Sequence, residues 1–380
     1  MDPVPVRLDI YRTAIPMRGF EHAAARRELA EAIVVRLELS DGTIGWGETH
    51  PRSYVTGETL QSVPEDIERV LWPAVRSGDP QGRDLPTSDA GRCICAARCA
   101  VELARYDAWL TWRWRQRRVR PPQPEPFPPV RVSGVLGSAD PARTGRQLWL
   151  MRLYRLRDFK LKLGLGEDVD AENLGIVRRR LHKALAAGKC TLRVDVNGAW
   201  SADETPERVR ELSACGVCAV EQPITGPADA LIQLAHRCEL PLLADESLVS
   251  LADAEKLIRE AGPKVWLNIR LSKNGGLWPA ASIAELAREA GAPFIVGCMV
   301  GESSILSAAQ RLLLWRTGPP RFLEGNYGRF LLKDDLTRRP LRFGLGGKLG
   351  PPFGRTGPPA VVVDPKRLAR YGQLLKTLRA

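Results

Sequence analysis

Phe159-Lys160-Leu161-Lys162-Leu163-Gly164 places two lysines in a segment that alternates like a β-strand. Strand side chains point to opposite faces in turn, so Lys160 and Lys162 share one face. A strand buried in a parallel sheet usually reads as a continuous apolar run. Taken alone, the pattern favours an edge strand with two solvated lysines, and only the segments that follow favour a different interpretation.

Four later apolar segments end in polar residues, and a helical pattern follows each one. They are Leu192 to Val196 with Asp195 (RVDVNGAW), Val217 to Val220 before Glu221 (VEQP), Pro241 to Ala244 before Asp245 (LADES), and Val265 to Leu271 before Lys273 (LSKNGG). This spacing is typical of a parallel β/α array. Because such barrels build their active sites at the carboxyl ends of the strands, we expect these polar side chains to converge at one mouth.

The flanking sequence predicts a barrel behind a smaller domain. Barrel strands are expected to begin near Val130, Phe159, Leu192, Val217, Pro241, Val265, Pro293 and Arg321, which is about the eight that a closed barrel needs. The proline-rich stretch 121–129 predicts a stiff linker. Before it, Val4 to Glu48 reads as a β-meander with a hairpin at Asp41-Gly42 and a loop from Ile15 to Ala30. After 331, a glycine- and proline-rich tail is expected to end as a helix from Pro365.

Composition indicates a globular chain with no membrane-spanning or secretory segment. The chain has 380 residues and 44% hydrophobic content, and we expect a cytoplasmic enzyme with its eight cysteines reduced. The formal charge of +12 is compatible with nucleic-acid binding, and Trp112 to Arg118 interleaves tryptophan with arginine. That stretch continues a helical pattern and ends in prolines, which favours a solvated helix end. A spread basic surplus also suits a small anionic substrate, so we expect neither nucleic acid nor membrane as a partner.

The ordered series KLK, DVNGAW, EQP, ADES, NIRLSKNGG and GCMVGES resembles the enolase superfamily, and within it the muconate-lactonizing-enzyme group of the mandelate racemase family. The resemblance implies an α/β fold: a (β/α)7β TIM-type barrel under an N-terminal α+β capping domain that the C-terminal tail completes. The implied domains are the cap at 1–127, the barrel at 128–330 and a returning segment at 331–380. Homo-oligomers are common in this family.

The same resemblance implies the site chemistry. Metal ligands map onto Asp195, Glu221 and Asp245, and the acid/base lysines map onto Lys162 and Lys273, with Lys160 as a neighbouring catalytic cation. Three carboxylates at one mouth require a cation, and all-oxygen ligands favour Mg²⁺, with Mn²⁺ as its substitute. Removing a proton beside a carboxylate creates an enediolate whose charge such a site stabilises. Asn197, Gln222 and Glu246 adjoin the ligands and either orient them or cap a following helix.

Lysines on both sides argue against two branches of the family, the mandelate-racemase branch and enolase proper, which pairs its lysine with carboxylates. The mandelate-racemase branch uses a histidine as second base, and no histidine follows His236. Three reactions stay open: epimerisation of dipeptides or N-acyl amino acids, cycloisomerisation of muconate-like acids, and dehydration to o-succinylbenzoate. Only epimerisation strictly uses both lysines as proton carriers. The chain is therefore predicted to be an epimerase, with a non-catalytic binding protein on the same fold as the distant alternative.

Substrate contacts are predicted in three places. The first is the cap, with Phe20 and His22 in one loop and Thr56 in VTGE, a stretch similar to dipeptide epimerases. The second is the loop carrying Met299 and Glu302; a carboxylate at a helix start explains Glu302 equally well. The third is Glu324-Gly325-Asn326, where dipeptide epimerases bind the substrate ammonium with an Asp-x-Asp. This chain has one carboxylate fewer, which leaves an N-acylated or otherwise different carboxylate substrate open beside the dipeptide.

Overall fold

The elements fall into an N-terminal antiparallel unit and a parallel barrel. A computed structural model describes residues 2–22, 25–117, 127–353, 358 and 361–380; of residues 19–22 and 25–27 it describes the backbone only. The strands are β1 Pro5–His22, β2 Ala25–Leu39, β3 Ile44–Thr49, β4 Ser88–Asp89, β5 Arg92–Cys93, β6 Gly134–Leu136, β7 Asp158–Lys162, β8 Thr191–Asp195, β9 Val220–Glu221, β10 Leu242–Ala244, β11 Val265–Ile269, β12 Phe294–Val296, β13 Phe322–Leu323 and β14 Gly372–Arg379.

Helices cover the outer face of the barrel and one face of the cap sheet. They are α1 Ser53–Thr56, α2 Ser62–Asp66, α3 Trp72–Ser77, α4 Cys95–Arg117, α5 Pro141–Leu153, α6 Glu167–Ala186, α7 Thr205–Ala214, α8 Ala228–Arg237, α9 Leu251–Ala261, α10 Leu271–Asn274, α11 Leu277–Glu289, α12 Ser304–Thr317, α13 Gly328–Leu331 and α14 Pro365–Tyr371. A π-helical turn, Ile67–Leu71, lies between α2 and α3. No helix among the described residues is long and apolar enough to cross a membrane.

The cap sheet has the order β14-β1-β2-β3, and α4 packs across it. Its first and last strands join the two ends of the chain, since β1 pairs antiparallel with β14. Gly45 and Gly47 let β3 lie directly on α4: a Cβ at Gly47 would stand 1.9 Å from the carbonyl oxygen of Ala100. The helix is therefore fixed rigidly against the sheet.

Two local predictions in the cap are wrong. The loop expected from Ile15 to Ala30 is largely strand, because β1 and β2 keep pairing through Ile15–Ala30 and Pro16–Leu29. Ile15 and Met17 continue the apolar alternation into a buried cluster with Leu332 and Leu336. The predicted C-terminal helix ends at Tyr371, and the last residues form β14 instead. The predicted proline linker lies mostly outside the described residues.

The barrel confirms the predicted (β/α)7β architecture. Eight parallel strands run in chain order from β6 to β13, and a parallel bridge between Val132 and Leu323 joins the last strand to the first. Ser133 N–H donates to Leu323 O at 2.8 Å at the same seam. Ala219, Leu243, Trp266, Ile295 and Phe322 form a separate apolar cluster from alternate positions of the later strands. The exact domain boundaries stay predictions.

Candidate active site

Alternation along the barrel strands brings the predicted charged residues to one end of the interior. Lys162 pairs in register with Asp195, and Asp195 with Glu221, on the neighbouring strands β7, β8 and β9. Asp245 directly follows β10. Asp195, Glu221 and Asp245 are almost completely buried. The structure therefore brings the three predicted ligands and Lys162 together at the carboxyl ends of consecutive strands.

Lys160 lies among three carboxylates inside the barrel. Its Nζ stands 3.1 Å from Glu221 Oε2, 3.2 Å from Asp195 Oδ2 and 2.6 Å from Glu324 Oε2. Burial by itself lowers the pKa of Lys160, but these carboxylates outweigh it and raise that pKa well above the usual value. Lys160 is therefore held in its protonated, positively charged form.

Arg270, which the sequence analysis missed, bridges two of the predicted ligands. Its Nη2 donates to Asp245 Oδ2 and lies 3.3 Å from Glu221 Oε1. Asn268 Nδ2 donates to the same Glu221 oxygen at 2.9 Å. Period-two alternation from Asn268 was the available signal, because it puts Arg270 on the same side of the strand. Lys160 and Arg270 thus link the three carboxylates in a row.

Lys162 is held by polar side chains from the neighbouring strand end. Its Nζ donates to Asp195 Oδ2 and to Asn197 Oδ1, both at 2.7 Å. Although burial opposes it, the attraction of Lys162 and then Lys160 holds the pKa of Asp195 well below its usual range. The lysine and the carboxylate therefore form a close ion pair at the second and third strands.

Lys273 lies across the barrel from Lys162 and is held mainly by backbone oxygens. It lies on the short helix α10, fully buried, and its Nζ donates to Asp245 O at 2.6 Å and Asn268 O at 2.8 Å. Asp245 Oδ1 is 3.0 Å away. Burial is the largest influence and lowers the pKa of Lys273, with help from the charge of Arg270. A lysine whose pKa falls is a better proton acceptor near neutral pH.

The carboxylates fit a hard divalent cation by their chemistry. Burial, followed by repulsion from Asp195, raises the pKa of Glu221 to about 8, so more positive charge is needed to keep it ionised. Glu246 Oε2 is buried and has no hydrogen-bond partner among the described residues. All of these donors are oxygens, as Mg²⁺ prefers. In the described ranges no three His, Cys, Asp or Glu side chains stand close enough to share one ion, because Lys160 and Arg270 lie between the carboxylates.

Asn197 and Gln222 bond to groups beside the predicted ligands, and neither is the N-cap residue of the described helix that follows it. Asn197 takes a positive φ of 49°, which turns its side chain between Lys162 and Glu246, and Nδ2 lies 3.4 Å from Glu246 Oε1. Gln222 Oε1 accepts from the backbone N–H of Asp245 at 2.9 Å and of Ser247 at 3.2 Å. Burial, then repulsion from Asp245, raises the pKa of Glu246 to about 7. These contacts fit the predicted orienting roles.

Glu324 and Asn326 are both engaged by protein groups. Besides Lys160, Glu324 binds Arg193, whose Nη2 lies 2.8 Å from Oε1. Burial opposes these cations, yet the pKa of Glu324 is lowered. Asn326 Oδ1 accepts from Arg311 Nε at 3.0 Å, and its Nδ2 donates to Gln310 at 2.7 Å. Arg193 was not among the predicted site residues, although it lies two residues before Asp195 on the same face.

The remaining predicted contacts divide between loop packing and the cap. Met299 is buried, and its N–H donates to Glu302 Oε1 at 2.7 Å. Glu302 directly precedes Ser303, the N-cap of α12, and burial raises its pKa to about 8. Thr56 ends α1, and Glu58 of the same VTGE stretch caps α4 by accepting from Ala96 and Ala97 N–H. The side chains of Phe20 and His22 lie outside the described residues.

Comparison with known proteins points to one family. Residues 145–351 match the family described as "Enolase C-terminal domain-like". The chain is 30% identical to the N-succinyl-L-Arg/Lys racemase of Bacillus cereus, with 80% of this chain and 81% of that protein covered. It is 28% identical to muconate cycloisomerase 1-2 of Acinetobacter lwoffii over 90% of each chain.

Solved structures share the whole architecture. The structure of the Bacillus cereus N-succinyl Arg/Lys racemase gives a TM-score of 0.84 at 23% identity, over 99% of this chain and 100% of that one. A dipeptide epimerase from Cytophaga hutchinsonii, complexed with Mg and the dipeptide D-Ala-L-Val, gives 0.81 at 20% identity over 99% of both chains. These likenesses extend across the cap as well as the barrel.

Proposed function

We propose that this chain inverts the configuration of the carbon beside a carboxylate in an N-acylated amino acid. The chain belongs to the enolase superfamily and is an isomerase, like the racemase, epimerases and cycloisomerase that it resembles. Lys162 and Lys273 act as the two acid/base groups in this proposal. The observation that carries it is their position at the second and sixth strands of an eight-stranded ring, with three buried carboxylates between them.

Opposed lysines suit inversion because the proton leaves from one face of the carbon and returns to the other. Lys273, with its pKa lowered by burial, is prepared to accept a proton from one enantiomer. Lys162, paired with Asp195 and Asn197, is prepared to hold one on the other face. In the reverse direction the two lysines exchange roles.

The carboxylate of the substrate needs positive charge around it when the neighbouring proton leaves. Asp195, Glu221 and Asp245 would hold Mg²⁺, which when bound supplies charge stabilisation for the substrate oxygens. Lys160 stays protonated between Asp195 and Glu221 and adds a fixed charge beside them. Arg270 would have to give up its contacts to Asp245 and Glu221 if these carboxylates turned to a metal ion.

The state of the last barrel strand supports an N-acyl substrate over a free dipeptide. A substrate ammonium needs an unpaired carboxylate, but Glu324 is already bound by Lys160 at 2.6 Å and by Arg193 at 2.8 Å. Asn326 is bonded to Arg311 and Gln310. Separating Glu324 from two buried cations would cost several kcal/mol, so it is a poor partner for an incoming ammonium.

Cycloisomerisation of a muconate-like acid is the second candidate. The sequence match to the muconate cycloisomerase covers 90% of both chains, and such a substrate also carries no ammonium. This reaction needs proton transfer by one lysine only. The two candidates therefore differ in whether the second lysine is essential for proton exchange.

Solvent-deuterium incorporation tests the proposal. Separate L and D forms of N-succinyl, N-acetyl and free-ammonium amino acids and dipeptides are incubated in D2O with Mg²⁺, and exchange at the α-carbon is followed by NMR. We expect exchange with inversion for the N-acyl compounds and little for free-ammonium ones. Turnover of muconate-type acids without exchange of amino-acid derivatives would support the cycloisomerase instead.

A further inference from the structure

Lys273 stands on a segment that the barrel does not hold alone. Helix α10 is only four residues long and ends in Gly275 and Gly276, whose φ angles are +89° and +108°. Helix α11 begins directly afterwards at Leu277. A short turn followed by two glycines has little rigidity of its own, so its position depends on what packs against it.

Two buried charged residues of cap helix α4 hold this segment from outside the barrel. Glu102 Oε1 accepts from the backbone N–H of Leu277 at 2.6 Å and of Trp278 at 3.2 Å, which caps α11. Arg98 pairs with Glu102 and donates to the carbonyl of Gly275. Both side chains are buried, and neither touches the carboxylates of the barrel mouth through the hydrogen bonds described.

The fit between the pair and the glycines is close. A Cβ at Gly276 would lie 2.7–2.8 Å from the carboxylate atoms of Glu102, so glycine is required for the carboxylate to reach the helix start. Arg98 is anchored in turn, because its Nε donates to Leu85 O at 2.7 Å. The backbone N–H of His50, at the end of the cap sheet, donates to Ser272 Oγ at 3.3 Å.

Burying the charged pair Arg98–Glu102 contributes little to the folding stability. Burial raises the pKa of Glu102 to about 7 in spite of Arg98 and the two amides, so ionising it inside the protein is unfavourable. Buried ion pairs of this kind are often no better for stability than packed apolar residues. A role in fixing the geometry of the segment explains why charge is placed there.

We propose that Arg98 and Glu102 are positioning residues for Lys273: the cap, through α4, sets the place of one base, while Lys162 is placed by the barrel strands alone. The inference rests on the proposed two-lysine function. Its consequence is an asymmetry between the two faces of the substrate. A disturbance of the pair should slow proton transfer on the Lys273 face and leave the Lys162 face largely intact.

The test is α-proton exchange of each substrate enantiomer measured separately in Glu102→Gln. The Lys273 face is defined by the enantiomer whose exchange is abolished in Lys273→Ala. We expect exchange of that enantiomer to fall about 10- to 100-fold in kcat with little change in KM, since a displacement near 1 Å can cost this much. Exchange of the other enantiomer should fall less than about threefold. Arg98→Lys keeps the charge but not the fork of hydrogen bonds, so an intermediate effect is expected.

Glu58→Gln is the matched control. Glu58 is also a buried cap carboxylate that accepts from two backbone amides, at 2.7 and 2.9 Å, and burial raises its pKa to about 7 as well. It caps the first turn of α4 and makes none of the hydrogen bonds to residues 271–278, so the control disturbs the same helix without removing the contacts of Glu102. A general loss of stability would affect both variants and both enantiomers alike, and this outcome would overturn the proposal, as would unchanged exchange in Glu102→Gln.

Amide hydrogen exchange separates failure of this inference from failure of the proposed function. If the wild-type protein exchanges neither enantiomer, the two-lysine function is contradicted. Faster amide exchange of residues 271–278 in Glu102→Gln but not in Glu58→Gln would then still support the positioning claim, and equal protection in the two variants would reject it.

Discussion

Lys162 and Lys273 are held in two different ways. Lys162 belongs to a strand and is paired with the side chains of Asp195 and Asn197. Lys273 belongs to the short helix α10 and donates to two backbone carbonyls. The segment after α10 is hydrogen-bonded to Arg98 and Glu102 of cap helix α4. In the proposed mechanism, one base is therefore placed by the barrel and its charges, and the other by the junction of barrel and cap.

Neutralising Glu221, which lies between the two lysines, should slow proton exchange on both faces of the substrate. The difference between the Lys162 side and the Lys273 side should then disappear. Glu221→Gln takes a carboxylate from Lys160, Arg270 and Asn268 at once. We expect exchange of both enantiomers to fall by about 10³-fold or more, because the predicted cation and the charge balance are lost together. Calorimetric titration with Mg²⁺ should show weakened binding. Normal Mg²⁺ affinity with lost activity would contradict the ligand role.

The pH dependence of stability should sharpen the account of the Lys273 side. The pKa of Glu102 is raised from 4.5 to about 7, so its favourable contribution is complete below about pH 4.5 and is lost as the pH rises through 7. Wild type should therefore lose about 3 kcal/mol of unfolding free energy relative to Glu102→Gln over this range. Denaturant titrations at several pH values measure these unfolding free energies. A difference between wild type and Glu102→Gln that does not change with pH would contradict the raised pKa of Glu102.

Filling the space at Gly276 should disturb the Lys273 side only. Gly276→Ala brings a Cβ against Glu102 at a φ of +108°, and we expect about 2 kcal/mol of destabilisation and a 10- to 100-fold slower exchange on that face. Gly166→Ala is the matched control, because φ is +117° there but no atom lies within 4 Å. It should cost strain without changing the ratio of the two exchange rates.

The smallest effect is expected on the Lys162 side. Asn197→Gly removes the amide that accepts from Lys162 while allowing the φ of +49°. Exchange on the Lys162 face should fall about tenfold, as a single lost hydrogen bond to a charged group predicts. The Lys273 face should be unchanged. Equal slowing of both faces would show that the two lysines are not independently supported.

Much of the barrel and its charged end could be predicted from the sequence, because several apolar strand segments are followed directly by a polar residue. Asp195, Glu221 and Asp245 follow apolar runs, and strand period two places Lys162 beside them. Arg193 and Arg270 follow the same rule but were missed, since arginine inside a barrel is recognisable only once its carboxylate partners are known.

Other features depend on contacts between distant parts of the chain. Whether Glu324 is open to a ligand depends on Lys160 and Arg193, which lie on other strands. Strand β14 is a half-exposed edge strand whose mixed polar pattern does not distinguish it from a helix end, and its pairing with β1 decides it. The role of Glu102 also becomes visible only when α4 meets α11. The predicted cytoplasmic location and oligomeric state stay predictions.

The most direct test of the two-lysine account is α-proton exchange of each enantiomer of an N-succinyl amino acid in D2O by wild type, Lys162→Ala and Lys273→Ala, with Mg²⁺ present. The account predicts that wild type exchanges and inverts both enantiomers, that each variant exchanges only one, and that the two variants differ in which one they retain. Exchange of both enantiomers by either variant, or loss of the same enantiomer in both, would contradict it.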